Sequence, residues 1–236
     1  MDPRTNQEGE HGTQDHPQSD GNSSHAQNAP SEDFEEAFEE LKFPELEFQD
    51  KWTLWEQYET KYSSDYKNTM QKVACFNDPV SFWKVWNTVP HSDPLNFIHY
   101  YEEENAESAV AKHYVVRGQE HKISAVSLFK TGIIPAWEDP VNAKGGEFSA
   151  KLHCTKEEIK PIWEEIILEI ISSSFPNSDQ VCGIRMLDKA QMFKLEVWVK
   201  YEKQNDQEVF GAQHQRLKEL MQGPNPKIEY FSHRKM

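Results

Sequence analysis

All seven tryptophans of this 236-residue chain lie beyond residue 50, while most of its net negative charge lies before residue 51. No other feature constrains the fold as strongly, because it divides the chain into two kinds of polymer. Residues 1–50 hold 14 acidic residues against Arg4 and Lys42, a net of −12, whereas residues 51–236 hold 26 acidic and 23 basic residues, a net of −3. Residues 1–30 contain no aromatic residue and are rich in Ser, Gln, Asn, Asp, His, Gly and Pro. Such a stretch cannot bury enough surface to offset the entropy of ordering it. The expectation is a disordered acidic tail over residues 1–48 and one folded domain of ordinary size over residues 49–236. Within the tail, Phe34, Phe38 and Leu41 are spaced i, i+4, i+7. That spacing fits either a fluctuating segment or a short partner-docking helix with one apolar stripe.

Several classes of protein are excluded early. Cys75, Cys154 and Cys182 are odd in number and far apart, with no CxxC pair, so neither a disulfide framework nor a zinc ribbon is expected. His153-Cys154 reads as two ordinary residues, and no metal or cofactor is expected. No apolar run is long enough for a signal peptide or a membrane span, which suggests a soluble cytoplasmic protein of a reducing compartment. The chain has no Nudix-type glutamate box, no phosphate-cradling loop and no nucleophile–base constellation. Glu164, Glu165 and Glu169 read as the solvated side of a helix, and an enzyme is not expected.

The folded part reads as strands with three interleaved helices. Lys51–Tyr58 has strand composition. Asp78 can cap a helix that has Pro79 at its first position, with Phe82, Trp83 and Trp86 on one side. Residues 90–124 are polar and irregular and read as a long inserted loop. Ala125–Lys130 and Glu147–His153 are strand candidates. Thr155 and Glu158 form a capping-box pattern before Ile159, Ile162, Trp163, Ile166, Ile167 and Ile170; Pro161 argues that this helix starts at Lys160. Val181–Leu187 and Met192–Tyr201 read as paired strands. Asp206–Met221 reads as a third helix ended by Gly223-Pro224, and Lys227–Ser232 as a final edge strand. The sum is an α+β or α/β domain in which short connections favour antiparallel neighbours.

The segment richest in chemistry runs from Gly132 to Gly146 and includes Trp137-Glu138-Asp139. Its Pro and Gly content makes it a loop that presents a large aromatic beside two carboxylates. Trp137 either packs on its own domain or waits for a ligand. This segment resembles the cap-binding loop of the eukaryotic translation initiation factor 4E family. The resemblance extends to Lys51-Trp52-Thr53-Leu54-Trp55, Phe82-Trp83, Ser127–Gly132, Trp163, Val181-Cys182-Gly183 and Trp198, in the same order and at similar spacing over about 185 residues.

The resemblance implies a curved antiparallel sheet backed by three helices, with the 7-methylguanosine cap of mRNA held on the concave side. Methylation at N7 gives guanine a positive charge that aromatic faces attract. Trp137 matches one wall of that sandwich and Tyr66 the other, with Tyr62 the rival if the register slips. A tyrosine there is also similar to a divergent branch of the family. Glu138 matches the guanine reader, since a carboxylate can accept from N1 and N2 together. Asp139 reads as structural. Lys189 and Lys194 match positions that bind the triphosphate; as plain residues they could equally be solvated strand-end lysines. Gln191 and Glu147 stand where the family pattern has basic residues, and Arg185, on the same strand face as Lys189, could compensate. Trp198 would close the pocket near the N7 methyl, or else pack in the core. The longer C-terminal loop that typical members place over the cap is expected to be missing.

On the convex side the resemblance implies a docking surface for a scaffold or repressor protein, centred on Trp83, with Glu165 and Leu168 as matching contacts. Three positions depart from it: Leu46-Glu47 replaces a usual His-Pro pair, Pro79 a small apolar contact, and Glu164 a usual leucine. The leading expectation is therefore a cap-binding factor of translation initiation. The alternatives are a cap-binding repressor or specialised factor without the usual scaffold recruitment, and an interaction module in which cap binding has been lost.

Overall fold

The computed structural model describes residues 46–58, 68–89, 114–116, 119–121, 123–189, 192–221 and 226–235. The expected tail helix at Phe34–Leu41, most of the 90–124 segment and the Gly223-Pro224 stop fall outside the described residues.

The strands are β1 (Trp52–Tyr58), β2 (Met70–Phe76), β3 (Tyr114–Val116), β4 (Gln119–His121), β5 (Ile123–Lys130), β6 (Gly146–Leu152), β7 (Val181–Asp188), β8 (Phe193–Val199) and β9 (Ile228–Ser232). Among the described residues three α-helices interleave with them: α1 (Pro79–Thr88), α2 (Lys156–Ile171) and α3 (Gln207–Leu220). Seven strands form one curved sheet in the order β2-β1-β5-β7-β8-β6-β9, with every neighbouring pair antiparallel. β3 and β4 pair with each other as a separate two-stranded ribbon.

Alternation along the strands separates two faces. On β8, Phe193, Leu195, Val197 and Val199 join the main core with Ile159, Trp163, Ile166 and Ile170 of α2. The intervening Lys194, Glu196 and Trp198 belong to the opposite, concave face. There Trp198 clusters with Trp55, Phe129 and Cys182, a second and smaller apolar group. The helices thus cover one side of the sheet, and the other is left to a few aromatics and charges.

The helix starts follow from local chemistry. The Asp78 carboxylate accepts the Ser81 backbone N–H at 2.8 Å, and Pro79 needs no partner at the first position. Phe82 and Trp86 are buried, but Trp83 is 46% exposed, so the three aromatics do not share one side as expected. A helix advances about 100° per residue, which turns Trp83 away from its neighbour. On α2 the capping box is complete: Thr155 Oγ1 accepts the Glu158 N–H and Glu158 Oε2 accepts the Thr155 N–H at 2.8 Å. This helix begins at Lys156, not Lys160. Pro161 sits in its second turn, where the missing N–H removes one bond while the box and the buried isoleucines hold the start. The Asp206 carboxylate caps α3 by accepting the Val209 N–H.

Two further expectations change. The irregular segment ends earlier than residue 124, because Ile123 already opens β5 and is 1% exposed. β2 was not expected at all. It is an edge strand paired only with β1 among the described residues, and Gln71, Lys72 and Cys75 face solvent, so its alternation is weak.

Candidate functional site

Between β5 and β6 the chain makes a loop whose conformation is set from inside. Gly132 turns out of β5 with φ +99°, a region that disfavours side chains. The buried Asp139 carboxylate accepts the backbone N–H groups of Ile134 (3.0 Å) and Val141 (2.9 Å). The fully buried Asn142 amide donates to the carbonyls of Ile134 (2.8 Å) and Ala136 (2.9 Å). Asp139 thus satisfies two backbone N–H groups, and Asn142 adds a second donor to two carbonyls that also accept the Ala136 and Asp139 N–H groups. At the exit, a Cβ on Gly145 would meet the Val199 carbonyl oxygen at 1.9 Å and one on Gly146 the Phe231 oxygen at 2.4 Å, so only glycines let the loop re-enter the sheet here.

This framework leaves Trp137 41% exposed and Glu138 exposed beside it, while Pro135, Ala136 and Asp139 are buried around them. An indole held open on a rigid loop next to a solvated carboxylate can stack on a flat ring and read its hydrogen-bonding edge. Tyr66 and Tyr62 lie outside the described residues.

On the concave face the charges are arranged differently. Lys194 Nζ lies 2.5 Å from Glu196 Oε1 and 3.2 Å from Glu147 Oε1. Glu196 also accepts from Trp198 Nε1 at 3.1 Å and lies 3.6 Å from Arg185 Nη1. Arg185 in turn donates to Gln57 Oε1 at 2.6 Å. Glu147 and Glu196 are 6% and 3% exposed. Burial opposes the Lys194 charge, yet Glu196 and Glu147 outweigh it and hold the ammonium above the ordinary lysine range. Burial likewise opposes the Glu147 charge, but the His233 contact and Lys194 hold that carboxyl below its ordinary range.

This geometry bears on three expectations. Lys194 does not stand open, because two buried carboxylates already hold it. Arg185 does not compensate, because its guanidinium is turned onto Gln57 and Glu196. Trp198 is 3% exposed, edge-on to Phe129 at 5.5 Å and tilted over His233 at 4.5 Å, which is the core packing left open above. Lys189 is exposed just beyond β7.

His233 had no role in the sequence reading. Its Nδ1–H donates to the Asn142 carbonyl at 2.9 Å, its Nε2 lies 3.4 Å from Glu147 Oε2, and its ring covers Trp198. A single histidine beyond a short edge strand carries no periodic signal. Glu196 could have been found, since alternation along β8 places it between Lys194 and Trp198 on one face.

On the helical side, Trp83 borders an open groove of roughly 550 Å³ with Pro79, Pro161, Glu164, Glu165 and Leu168. Leu168 is 38% exposed, and Glu164 Oε1 accepts from Trp86 Nε1 at 3.3 Å. Among the described residues no three His, Cys, Asp or Glu side chains could hold a metal ion, and no helix is long and apolar enough to cross a membrane.

A curved antiparallel sheet backed among the described residues by three helices, with an open tryptophan–glutamate loop between β5 and β6, defines a two-layer α+β class of protein. The chain belongs to the eukaryotic initiation factor 4E family, whose pattern matches residues 47–236. Initiation factor 4E of Candida albicans is 26% identical over 190 residues, covering 78% of this chain and 77% of that protein. Initiation factor 4E1 of Drosophila melanogaster is 25% identical over 184 residues, covering 78% of this chain but 61% of that protein, less than two thirds of its length. The fold also matches the complex of C. elegans eIF4E-3 with the 4E-binding protein Mextli and cap analog, at a TM-score of 0.61, with 20% identity and coverage of 80% of this chain and 93% of that one. Schistosome eIF4E complexed with m7GpppG and 4E-BP gives 0.59 and 21%, covering 82% and 92%.

Proposed function

We propose that this chain binds the 7-methylguanosine cap of mRNA and acts in translation initiation in the cytoplasm, without catalysing a reaction. The observation that carries the reading is the pair Trp137 and Glu138, held outward by the internal bonds of Asp139 and Asn142. Family membership and fold relatives solved with cap analogs support it. Trp137 stacks on the cationic base, with Tyr66 as the opposite wall. Glu138 accepts from guanine N1 and N2, a pattern adenine does not offer. Lys189 meets the phosphates, and Trp198 supports the site from within the sheet. The groove around Trp83, Glu164, Glu165 and Leu168 receives a scaffold or repressor segment, and residues 1–48 form a tail that base recognition does not need.

Retention on immobilised 7-methyl-GTP, with elution by 7-methyl-GTP but not GTP, tests the proposal. Tryptophan fluorescence should quench as the base enters. Equal affinity for the methylated and unmethylated nucleotide would overturn it.

A further inference from the structure

The base side and the phosphate side of the proposed site do not match in charge. Glu147 stands where the family resemblance expects a basic residue, and it does more than omit a charge. Its carboxylate reaches Lys194 at 3.2 Å, while Glu196 holds the same ammonium at 2.5 Å. Glu196 draws in Arg185 as well. Two cations and two carboxylates cancel, and both carboxylates are nearly inaccessible. A phosphate arriving at Lys194 would have to displace one of them or sit against its charge, and leaving a buried carboxylate without its cation is strongly unfavourable. Among the described residues, Lys189 is the exposed lysine remaining at the positions assigned to the phosphates.

We propose that Glu147 and Glu196 make this protein a reader of the methylated base that is nearly indifferent to the length of the 5′-phosphate chain, with Glu147 as the determinant. The inference rests on the cap-binding reading above and specifies its ligand: a 7-methylguanosine whose second and third phosphates add little. It also implies weak salt dependence, because few phosphate contacts release few counterions.

Calorimetric titration of the full chain with 7-methylguanosine and its 5′-mono-, di- and triphosphates, each at several salt concentrations, tests this. The wild type should gain less than about tenfold from mono- to triphosphate, with a log–log salt slope near −0.7, the value for about one phosphate contact on a single strand. In Glu147→Gln the amide can keep a contact to His233 but no longer neutralises Lys194. Triphosphate affinity should rise on the order of tenfold and the slope roughly double, with binding of the nucleoside unchanged. A wild-type gain of a hundredfold or more along the phosphate series, with a steep salt slope, overturns the inference while leaving base recognition standing. The wild-type series decides this even if the variant does not fold. Failure of every methylated ligand to bind overturns the cap-binding reading, and the inference falls with it.

Discussion

The loop carrying Trp137 and the strands carrying Lys194 solve opposite problems with the same device. In the loop, buried polar side chains turn inward to satisfy backbone groups, and that frees an aromatic and a carboxylate to face solvent. On the concave face, buried polar side chains turn toward each other, and little charge is left over for a ligand. Internal satisfaction leaves the side chains of the first region open to solvent and engages those of the second with one another. A residue's type and its place in a family pattern therefore do not define its availability; its partners do. Lys189 and Lys194 fit the same pattern and differ in this respect alone.

The comparison can be broken most directly at Trp137. Base–aromatic stacking is worth roughly 1–3 kcal/mol per base, so Trp137→Ala should all but abolish retention on immobilised 7-methyl-GTP while leaving the melting temperature within a degree or two. A large fall in melting temperature would instead make Trp137 a packing residue and the loop an ordinary connection.

A smaller effect is expected one layer in. Asn142→Ala removes the side-chain donor from the Ile134 and Ala136 carbonyls, which keep the Ala136 and Asp139 backbone N–H groups, at about 0.5–1.5 kcal/mol for each bond lost. Cap affinity should fall about tenfold although no contacting group is lost, and thermal stability should fall with it. Unchanged affinity in a destabilised variant would separate loop order from binding.

The groove offers a third contrast. Glu164 replaces a leucine of the family pattern, and it is held by the Trp86 indole rather than left open. A peptide that docks through apolar anchor side chains would bury this carboxylate against one of them, which is unfavourable unless a cation meets it. Calorimetry should show weak binding to the wild type and binding several-fold tighter to Glu164→Leu. Tight binding that the leucine does not improve would place Glu164 outside the contact.

The mildest effect is on the acid side of stability. The folded-state pKa of Glu147 is depressed, so its contribution is fully present above the unfolded value and drains away as pH falls through the folded one. Glu147→Gln should therefore lower the melting temperature in the neutral region, where that contribution is present, and flatten the acid limb below the ordinary glutamate range near ~4.3, where variant and wild type converge. An acid limb as steep as that of the wild type would assign the acid sensitivity to other carboxylates.

What could be read from the chain and what could not divide along similar lines. The Thr155–Glu158 cap, the paired β7 and β8 and the glycine-bounded loop are local patterns, written within a few residues, and the structure has them. Pro161 misplaced the start of α2 because a single breaker was weighed above a cap that acts first. β2 was missed because an edge strand with both faces partly wet has no strong alternation to show. The Lys194 triad depends on two strands separated by 47 positions and on a side chain lying along the sheet toward Glu147. Register of that kind exists only after folding, so the sequence marks Lys194 and Glu147 but not the contact between them.

The clasp made by His233 has a thermodynamic consequence. β9 is an edge strand bonded only to β6 among the described residues, and His233 fastens its end to the loop through both its N–H to the Gly145 carbonyl and its ring. Fraying of β9 and loosening of the loop are then parts of one local opening reaction. A ligand that binds only the closed form lowers the open population of the whole unit. Amide hydrogens of Ile228–Ser232, none of which belongs to the binding loop, should exchange more slowly with solvent as the base site fills.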